Sequence, residues 1–313
     1  MHHRAHPKIA VVTPIHNGLE HTLDFLRSIS LVDYPNFEVV IVDDGSTDGS
    51  ANAIREHYPS VRVLPGDGTL WWAGATNLGA RVAKEGGADY IFTVNNDVTV
   101  EKTLFTALLA CARSNPHSLV GCKICFMHHP SRVWYFGAGF NDDLADLELY
   151  SGVDSDFPER RAVKVLTGMG VLVPAEAFDK IGYYDAEHLP QYFADSDFSL
   201  RAGYAGYTCL VDPDSKIYSD VQSSWVTNQL KDPTLRFLWE CIYARRSPYC
   251  VAVRATFYRR HWGPYWLRML LKFYWNFFPW FVTHEFGPAY LRKKLRWLRP
   301  IVRWFRKADR FRK

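Results

Sequence analysis

Three acidic segments of this 313-residue chain combine carboxylates with turn-forming residues. Asp43 and Asp44 begin the run DDGSTDGS, Asp97 ends the run NND, and Asp195 and Asp197 lie in ADSDFSLR. Carboxylates that are gathered in one cleft repel each other unless they share a cation. Such a cleft favours Mg²⁺ or Mn²⁺, which also takes oxygens from substrate phosphates. Because Asp-Gly-Ser and Asn-Asp turns are common in loops, each segment taken alone also fits a structural turn.

Four short apolar runs, rich in β-branched or aromatic residues, predict strands over residues 8–13, 37–42, 61–64 and 90–94. The second and fourth of these runs lead directly into the first two acidic segments. A helix is predicted over residues 74–84. Further strands are predicted over residues 133–140, 163–166 and 171–173, and a further helix over residues 175–181. Strands alternating with helices predict an open parallel sheet in which the loops after the strands meet at one edge. The first two acidic segments should therefore share one site.

Charge and composition divide the chain into two parts. The first 231 residues contain 18 Lys and Arg against 29 Asp and Glu, whereas the remainder contains 19 against 4. The composition changes near residues 225–231, and we predict an α/β domain over residues 1–228 and a helical, basic and aromatic extension over residues 229–313. A basic extension indicates an anionic partner. The start of the chain lacks the apolar core of a signal peptide, and the six cysteines predict reduced thiols in a cytosolic protein.

Five landmarks follow one another along the chain, namely PIHN at 14–17, VVIVDDGSTDGS at 39–50, NND at 95–97, GMG at 168–170 and DSDFSLR at 195–201. In this order they resemble the family 2 glycosyltransferases of bacterial surface-polysaccharide synthesis, in particular the rhamnosyltransferases. The resemblance covers about residues 8–225. It implies the GT-A fold, which is a Rossmann-like α/β domain with a mostly parallel sheet, and it implies binding of a nucleotide sugar.

The resemblance also implies a site for a UDP- or dTDP-sugar. Pro14, His16 and Asp44 match positions that hold the base and ribose, and Asp44 would accept a hydrogen bond from the imide N–H of uracil or thymine. Trp72 and Asn77 match a donor-side segment of a subset of the family, in which Asn77 opens or lines a helix near the diphosphate. Trp72 could stack on a sugar or base, although paired Trp residues also fit core or rim packing.

The metal position of the family falls on Asp97, which would bind Mg²⁺ or Mn²⁺ on the diphosphate. Asn95 and Asn96 replace further acids often found there, and their amide oxygens still coordinate or form hydrogen bonds. Ser219 occupies the position of a metal-binding His in many relatives. Metal binding is therefore weaker, or Asp220 substitutes for the missing ligand. A zinc site at the lone Cys-x-x-Cys of residues 122–125 is a minor alternative.

The general base of the inverting members falls on Asp195. The family pattern is Glu-Asp-x-Asp, and here Ala194 replaces the Glu. Inverting transfer needs one carboxylate that faces the acceptor hydroxyl opposite the leaving group. We expect Asp197 to pair with Arg201, four residues further on. The alternative is that both aspartates only cap the helix that opens at Phe198.

The extension interleaves aromatic with basic residues, which predicts helices that lie in a membrane interface. Its longest apolar stretch, residues 264–282, contains Arg268 and Lys272, so an ordinary spanning helix is not expected. The predicted partner is an anionic membrane surface at the cytoplasmic face, in preference to nucleic acid. A helical hairpin packed on the catalytic domain is the structural alternative.

The sequence therefore predicts a metal-dependent, inverting glycosyltransferase. It would move a sugar from a UDP- or dTDP-sugar to a hydroxyl of a lipid-linked or surface polysaccharide acceptor, with rhamnosyl transfer preferred by family analogy. Hexosyl or galactofuranosyl transfer is the alternative within the class. A non-catalytic module that binds nucleotide sugars or glycans is the alternative outside it, favoured by Asn95, Asn96, Ala194 and Ser219. A nucleotidyltransferase would need a Gly-rich triphosphate loop near the first strand, and none is present.

Overall fold

The computed structural model describes residues 6–220 and 235–285, and the chain divides into two compact units. The first unit comprises Met1–Phe140 and Leu147–Val221, and the second comprises Asn141–Asp146 and Gln222–Lys313. The predicted boundary between residues 228 and 229 lies outside the described residues. Asn141–Asp146 was not expected to belong with the C-terminal part, and its contacts there are given below.

The first unit opens with strands and helices in strict alternation. The strands are β1 (Ile9–Ile15), β2 (Phe37–Asp43), β3 (Arg62–Pro65) and β4 (Tyr90–Thr93), and the helices between them are α1 (Leu19–Ile29), α2 (Ser50–His57) and α3 (Trp71–Glu85). The four strands pair in parallel in the order β3-β2-β1-β4. The apolar β-branched residues of β1, β2 and β4 are buried, as expected for a sheet covered on both faces, whereas those of the edge strand β3 are half-buried.

The rest of the first unit widens this sheet. Its strands are β5 (Val98–Val100), β6 (Ser118–Phe126), β7 (His129–Tyr135), β8 (Ala138–Asn141), β9 (Asp146–Leu149), β10 (Gly152–Val153), β11 (Arg161–Val163), β12 (Val171–Pro174) and β13 (Thr208–Ser219). Strands β8 and β9 form a separate two-stranded sheet, and the others join the main sheet. Its helices are α4 (Leu104–Ser114), α5 (Ala177–Ile181) and α6 (Ala194–Tyr204). Strand β12 runs antiparallel between β4 and β6, and β13 pairs in parallel with β6. The predicted α/β class with a mostly parallel central sheet is confirmed.

Close packing of α3 on the sheet depends on a glycine. A Cβ at Gly79 would lie 2.4 Å from Cγ1 of Val12 in β1, so a side chain there would push the helix away. This helix carries several residues that face the strand ends, and its distance from the sheet therefore affects the candidate site. The predicted strand over residues 133–140 is wrong as a single element, because Gly137 adopts φ +88° and separates β7 from β8.

From residue 235 onward, the described part of the second unit is mainly helical. Its helices are α7 (Leu235–Tyr243), α8 (Val251–Trp262) and α9 (Trp266–Glu285), with a 3-10 turn at Gly263–Tyr265. Arg254 of α8 is buried, lies over the Phe273 ring at 3.4 Å, and forms an ion pair with Asp146 at 3.1 Å. The Tyr258 hydroxyl donates to the Ala145 carbonyl at 2.5 Å. These contacts explain why the short segment Asn141–Asp146 belongs to this unit.

No helix among the described residues is long and apolar enough to cross a membrane. The six cysteines are buried free thiols. Burial raises the pKa of Cys122 well above its usual value, so this thiol of the Cys-x-x-Cys segment is kept protonated.

Candidate active site

The loops that follow β1 and β2 are bound to each other at the carboxyl edge of the sheet. Because the two strands are parallel, Pro14 lies opposite Val42, and the residues after each strand become neighbours. Nδ1 of His16 lies 2.6 Å from the Asp44 carbonyl oxygen. The structure therefore brings together the three residues predicted to hold the base and ribose, which are Pro14, His16 and Asp44.

Asn17 adds a second link between these loops that the sequence reasoning missed. Its backbone N–H donates to Oγ of Ser46 at 2.7 Å, and its Oδ1 accepts from the Thr47 N–H at 2.8 Å. Asn17 adopts φ 62°, a left-handed conformation that asparagine tolerates better than most residues. The Asn-Gly pair at 17–18 was the available signal for such a turn.

The Asp44 carboxylate is buried and anchors the loop before α3. Its Oδ1 accepts from the N–H groups of Gly68 at 2.8 Å and Leu70 at 3.3 Å, and its Oδ2 accepts from Trp71 N–H at 2.8 Å. A carboxylate offers about four acceptor positions. One position is therefore left for a ligand donor, and the contact of Asp44 with a nucleobase stays a prediction.

The Asn-Asn-Asp loop after β4 places its three side chains in different environments. Nδ2 of Asn96 donates to Oγ1 of Thr22 in α1 at 2.8 Å, and Oδ1 of Asn95 accepts from the indole N–H of Trp72 at 2.9 Å. Oδ1 of Asp97 is buried and has no hydrogen-bond partner among the described residues. Burial raises the pKa of the Asp97 carboxyl above its usual value.

The surroundings of Asp97 fit a divalent cation that is shared with a substrate. Ser219 lies opposite Val98 in the β13–β5 pairing, and its buried Oγ also lacks a hydrogen-bond partner in the described part of the chain. The Asp220 N–H donates to the Asp97 carbonyl oxygen at 3.2 Å. Within residues 6–220 and 235–285, three acidic, His or Cys side chains do not gather into a ready metal site. One protein carboxylate plus phosphate oxygens is a common arrangement for Mg²⁺.

Asp195 lies in the first turn of α6 and is held by backbone donors. Its Oδ2 accepts from the Gly168 N–H at 3.0 Å, and its Oδ1 accepts from the Ser196 N–H at 2.7 Å. Burial raises the pKa of the Asp195 carboxyl, although these hydrogen bonds act in the opposite direction. The sequence reasoning identified the Gly-Met-Gly turn as a landmark but missed that Gly168 contacts the candidate base. A carboxylate with a raised pKa is a stronger base than an ordinary Asp, which suits it to accept a proton.

Asp197 has a structural role, as predicted. Its side chain is fully buried, and its Oδ2 accepts from Nε of Arg201 at 2.8 Å. Arg201 also donates to the carbonyl oxygens of Ile181 and Tyr183. The expected Asp197–Arg201 pairing is therefore confirmed, and the two aspartates of this segment occupy different environments.

Trp72 packs between the Asn-Asn-Asp loop and the Gly-Met-Gly turn. A Cβ at Gly168 would lie 2.1 Å from the Trp72 ring, which shows how closely the ring covers this glycine. The ring also meets Tyr184 edge to face at 5.1 Å. These contacts correspond to the packing alternative for the paired tryptophans, and stacking of Trp72 on a donor stays untested.

Asn77 lies inside α3, which begins at Trp71. The form of the prediction in which Asn77 opens the helix is therefore wrong. Its buried carboxamide donates from Nδ2 to the Tyr184 carbonyl at 2.8 Å and accepts at Oδ1 from the Tyr184 N–H at 3.0 Å. Both polar groups of Asn77 are thus engaged by one backbone segment. This residue holds the Tyr184 segment against α3, next to the ring of Trp72.

Comparison with known proteins identifies the family. The model of "Glycosyl transferase family 2" matches residues 10–177, which is more than half of the chain. The chain belongs to glycosyl transferase family 2. The match contains the loops after β1, β2 and β4 and the Gly-Met-Gly turn, and it ends before Asp195.

Curated relatives extend the similarity of this family 2 glycosyltransferase beyond that match. The N-acetylglucosaminyl-diphospho-decaprenol L-rhamnosyltransferase of Mycobacterium tuberculosis is 26% identical over 232 residues, which are 67% of this chain and 75% of the relative. Glycosyltransferase GlyG of Streptococcus pneumoniae is 35% identical over 103 residues, which are 32% of this chain and 33% of GlyG. The M. tuberculosis relative confirms the resemblance to rhamnosyltransferases that the motifs indicated.

Solved structures confirm the GT-A-like fold of this glycosyltransferase. The mannosyltransferase PcManGT from Pyrobaculum calidifontis, in complex with GDP-Man and Mn²⁺, superposes with a TM-score of 0.56 at 18% identity, over 88% of this chain and 72% of PcManGT. S. aureus TarS 1-349 superposes with a TM-score of 0.51 at 16% identity, over 82% of this chain and 73% of that chain. At these identities the likeness concerns the fold alone.

Proposed function

We propose that this glycosyltransferase transfers a sugar with inversion from a UDP- or dTDP-sugar to a hydroxyl group, and that a divalent cation assists. The observation that carries the proposal is the contrast between two carboxylates. Asp97 has a buried oxygen without a hydrogen-bond partner among the described residues, whereas Asp195 is held by two backbone N–H groups. Two carboxyl groups in different environments are a common basis for two different catalytic roles.

The donor would lie along the carboxyl edge of the sheet. Pro14, His16 and the remaining acceptor position of Asp44 would contact the base and ribose. Asn96 has its Nδ2 committed to Thr22, which leaves its Oδ1 as the group for the donor diphosphate or its cation. Trp72 would form one wall of the donor pocket.

Asp97 would hold Mg²⁺ or Mn²⁺. When bound, the cation would neutralise the charge that develops on the departing diphosphate. The protein adds few other ligands within the described residues, so the phosphate oxygens of the donor would complete the coordination. Ser219 and Asp220 are the residues of this chain best placed to contribute further oxygens, because β13 ends beside β5.

Asp195 would act as the general base. Its carboxylate would take the proton of the acceptor hydroxyl as the oxygen attacks the anomeric carbon, while the bond to the nucleoside diphosphate breaks on the opposite face of the sugar. Attack and departure on opposite faces invert the anomeric configuration without a covalent intermediate. Gly168 and Ser196 keep the carboxylate in one orientation through their N–H groups.

The acceptor would be a lipid-linked or surface glycan at the cytoplasmic face of the membrane. The M. tuberculosis relative is named as an enzyme that acts on a decaprenol-linked diphosphosugar, and its name supports rhamnosyl transfer as the first reaction to test. The 19 Lys and Arg against 4 Asp and Glu after residue 231 support an anionic membrane surface as a partner. Hexosyl and galactofuranosyl transfer are the alternatives at the donor position.

A non-catalytic sugar-binding module is the second candidate, and one observation favours it. Oδ1 of Asn95 accepts from Trp72, so this loop offers a metal fewer oxygens than a loop of acids would. The deciding experiment measures donor binding by thermal shift with UDP- and dTDP-sugars, in Mn²⁺ and in EDTA, and then release of nucleoside diphosphate with and without acceptor. Cation-dependent binding followed by acceptor-dependent release supports transfer. Binding without release under any condition would favour the module.

A further inference from the structure

Helix α9 is apolar on two opposite sides, and only one side is buried. Met269, Leu270, Phe273 and Phe277 are buried within the second unit. The other side exposes large apolar residues: Leu267 at 49%, Leu271 at 63%, Trp275 at 65% and Phe278 at 40%. Spacings of four, four and three residues place these side chains in one stripe along the helix. We call this set the outer stripe.

The outer stripe is too apolar for a helix face that meets only water. Soluble proteins seldom expose large contiguous apolar patches, and those that they do expose mark binding surfaces. The helix does not meet the requirements for crossing a membrane. Its 20 residues extend about 30 Å at 1.5 Å per residue, so the stripe is an elongated surface rather than a single contact.

The charges around the stripe favour an anionic surface as its occupant. Arg268 follows Leu267 directly and is exposed, and Arg259 lies over the Trp266 ring at 4.5 Å at the start of the helix. The described residues of the second unit, 141–146 and 235–285, contain 8 Lys and Arg against 5 Asp and Glu. Apolar side chains flanked by cations suit the boundary between the headgroups and acyl chains of anionic lipid.

We propose that the outer stripe of α9 inserts into the interface of an anionic bilayer, with the helix lying along the membrane plane. This inference rests on the proposed function in one respect, since it takes the membrane partner proposed there and assigns it to one face of one helix. Insertion of the leucines and aromatic rings would supply a contribution that salt does not screen. The arginines would supply a contribution that salt weakens.

The test uses the full-length protein and the double variant Leu267→Glu/Leu271→Glu. Binding is measured by flotation with vesicles of phosphatidylglycerol and phosphatidylcholine in equal parts, and with vesicles of phosphatidylcholine alone. Each substitution removes a leucine from the interface and adds a negative charge, so the double variant should bind the mixed vesicles at least about a hundredfold more weakly, given about 1.5 kcal/mol or more for each buried leucine. Phosphatidylcholine vesicles should bind the wild-type protein more weakly than the mixed vesicles.

The control variant is Leu31→Glu, which changes a leucine of similar exposure, 58%, in the first unit. It should bind mixed vesicles as the wild-type protein does. Leu271→Lys is a second variant that removes the apolar side chain but adds a positive charge, which anionic lipid attracts. It should also weaken binding, though less than the double variant Leu267→Glu/Leu271→Glu does. If Leu271→Lys binds as tightly as wild type, the attraction is electrostatic alone and insertion of the stripe is refuted.

Two further measurements separate this inference from other outcomes. Light scattering after gel filtration follows the oligomeric state, and a wild-type dimer that becomes a monomer in the double variant would show that a second copy covers the stripe. Release of nucleoside diphosphate with a soluble acceptor should be equal in wild type, the double variant and Leu31→Glu. If wild type itself releases none, the proposed function fails. If release is normal but vesicle binding is unchanged in the double variant, only the membrane assignment of α9 fails.

Discussion

The indole N–H of Trp72 donates to Oδ1 of Asn95 at 2.9 Å, and the ring of the same tryptophan covers Gly168. Gly168 in turn donates its N–H to Asp195. One side chain therefore spans the distance between the loop of the candidate metal ligand and the turn that orients the candidate base. Displacement of this ring should affect both functions together.

Replacing Trp72 by Phe or by Ala separates the two contacts of the side chain. Trp72→Phe keeps a smaller ring that reaches less far over Gly168, and it loses the hydrogen bond to Asn95, at a cost of about 0.5–1.5 kcal/mol in unfolding free energy for that bond. Trp72→Ala also opens a cavity, and its cost should approach the value of about 3–5 kcal/mol for a large aromatic residue. We expect the Phe variant to lower mainly donor affinity and the Ala variant to lower both kcat and donor affinity. Urea unfolding and steady-state kinetics measure these effects, and equal kinetics in all three proteins would contradict the bridging role.

Gly168→Ala tests the close contact from the other side. The new methyl group would meet the Trp72 ring, so either the ring or the turn must move, at about 1–3 kcal/mol for overpacking. Turnover should fall as well, because the Gly168 N–H would no longer hold Asp195 in the same place. Gly203→Ala is the matched control, since a Cβ there meets nothing within 4 Å and the residue lies in α6. This control should gain about 0.5–1 kcal/mol and keep full activity.

Asp97→Asn should remove the cation-dependent part of donor binding. The amide oxygen is a weaker ligand than the carboxylate, and the chain offers few replacements within the described residues. Titration calorimetry of UDP and dTDP in Mn²⁺ and in EDTA measures the difference. Wild-type affinity should fall in EDTA to that of the variant. A variant with normal Mn²⁺-dependent binding would eliminate Asp97 as the ligand, and the same measurement on Asp220→Asn shows whether Asp220 contributes.

Asp195→Asn should lower turnover by roughly 10²–10⁴ while donor binding persists, because the amide keeps the shape but cannot take a proton. The wild-type rate should fall as the pH decreases through the raised pKa of Asp195, since only the ionised carboxylate acts as a base. A flat rate from acidic to neutral pH would argue against this base.

Asp195 and Asp197 should contribute differently to the stability of the fold. The folded-state pKa of Asp195 is raised, so its protonation stabilises the fold, and this contribution is lost as the pH rises through that pKa. At neutral pH, Asp195→Asn removes the buried charge but can accept from only one of the Gly168 and Ser196 N–H groups, so these effects should largely offset each other and the melting temperature should change little. Asp197→Asn breaks the buried pair with Arg201 and should lose about 1.5–3 kcal/mol. Thermal unfolding of both variants decides the point, and a large loss in the Asp195 variant would mean that its charge supports the fold.

The parts that could be predicted from the sequence are those governed by local pattern. The strands at 8–13, 37–42 and 90–94 lie within two residues of β1, β2 and β4, because β-branched runs and turn residues bound them. Asp197 and Arg201 were predictable as a pair because they are one helical turn apart. The role of Trp72 could not be predicted, because its partners Asn95 and Gly168 are far away in sequence and contact it only in the folded structure. Residues 133–140 were mispredicted because an aromatic run concealed the positive φ of Gly137.

The anchoring of the loop before α3 has a consequence for how this enzyme can be altered. Asp44 holds the loop through the backbone N–H groups of residues 68, 70 and 71, so the attachment does not depend on which side chains those positions carry. Gly66 and Gly68 are constrained, the first by the nearby Asp44 side chain and the second by φ +85°. Thr69 is exposed between the anchored positions and is under neither of these two constraints, and its hydroxyl donates to Oδ1 of the neighbouring Asp67 at 2.6 Å. Position 69 can therefore be substituted while the loop beneath it keeps its attachment to Asp44.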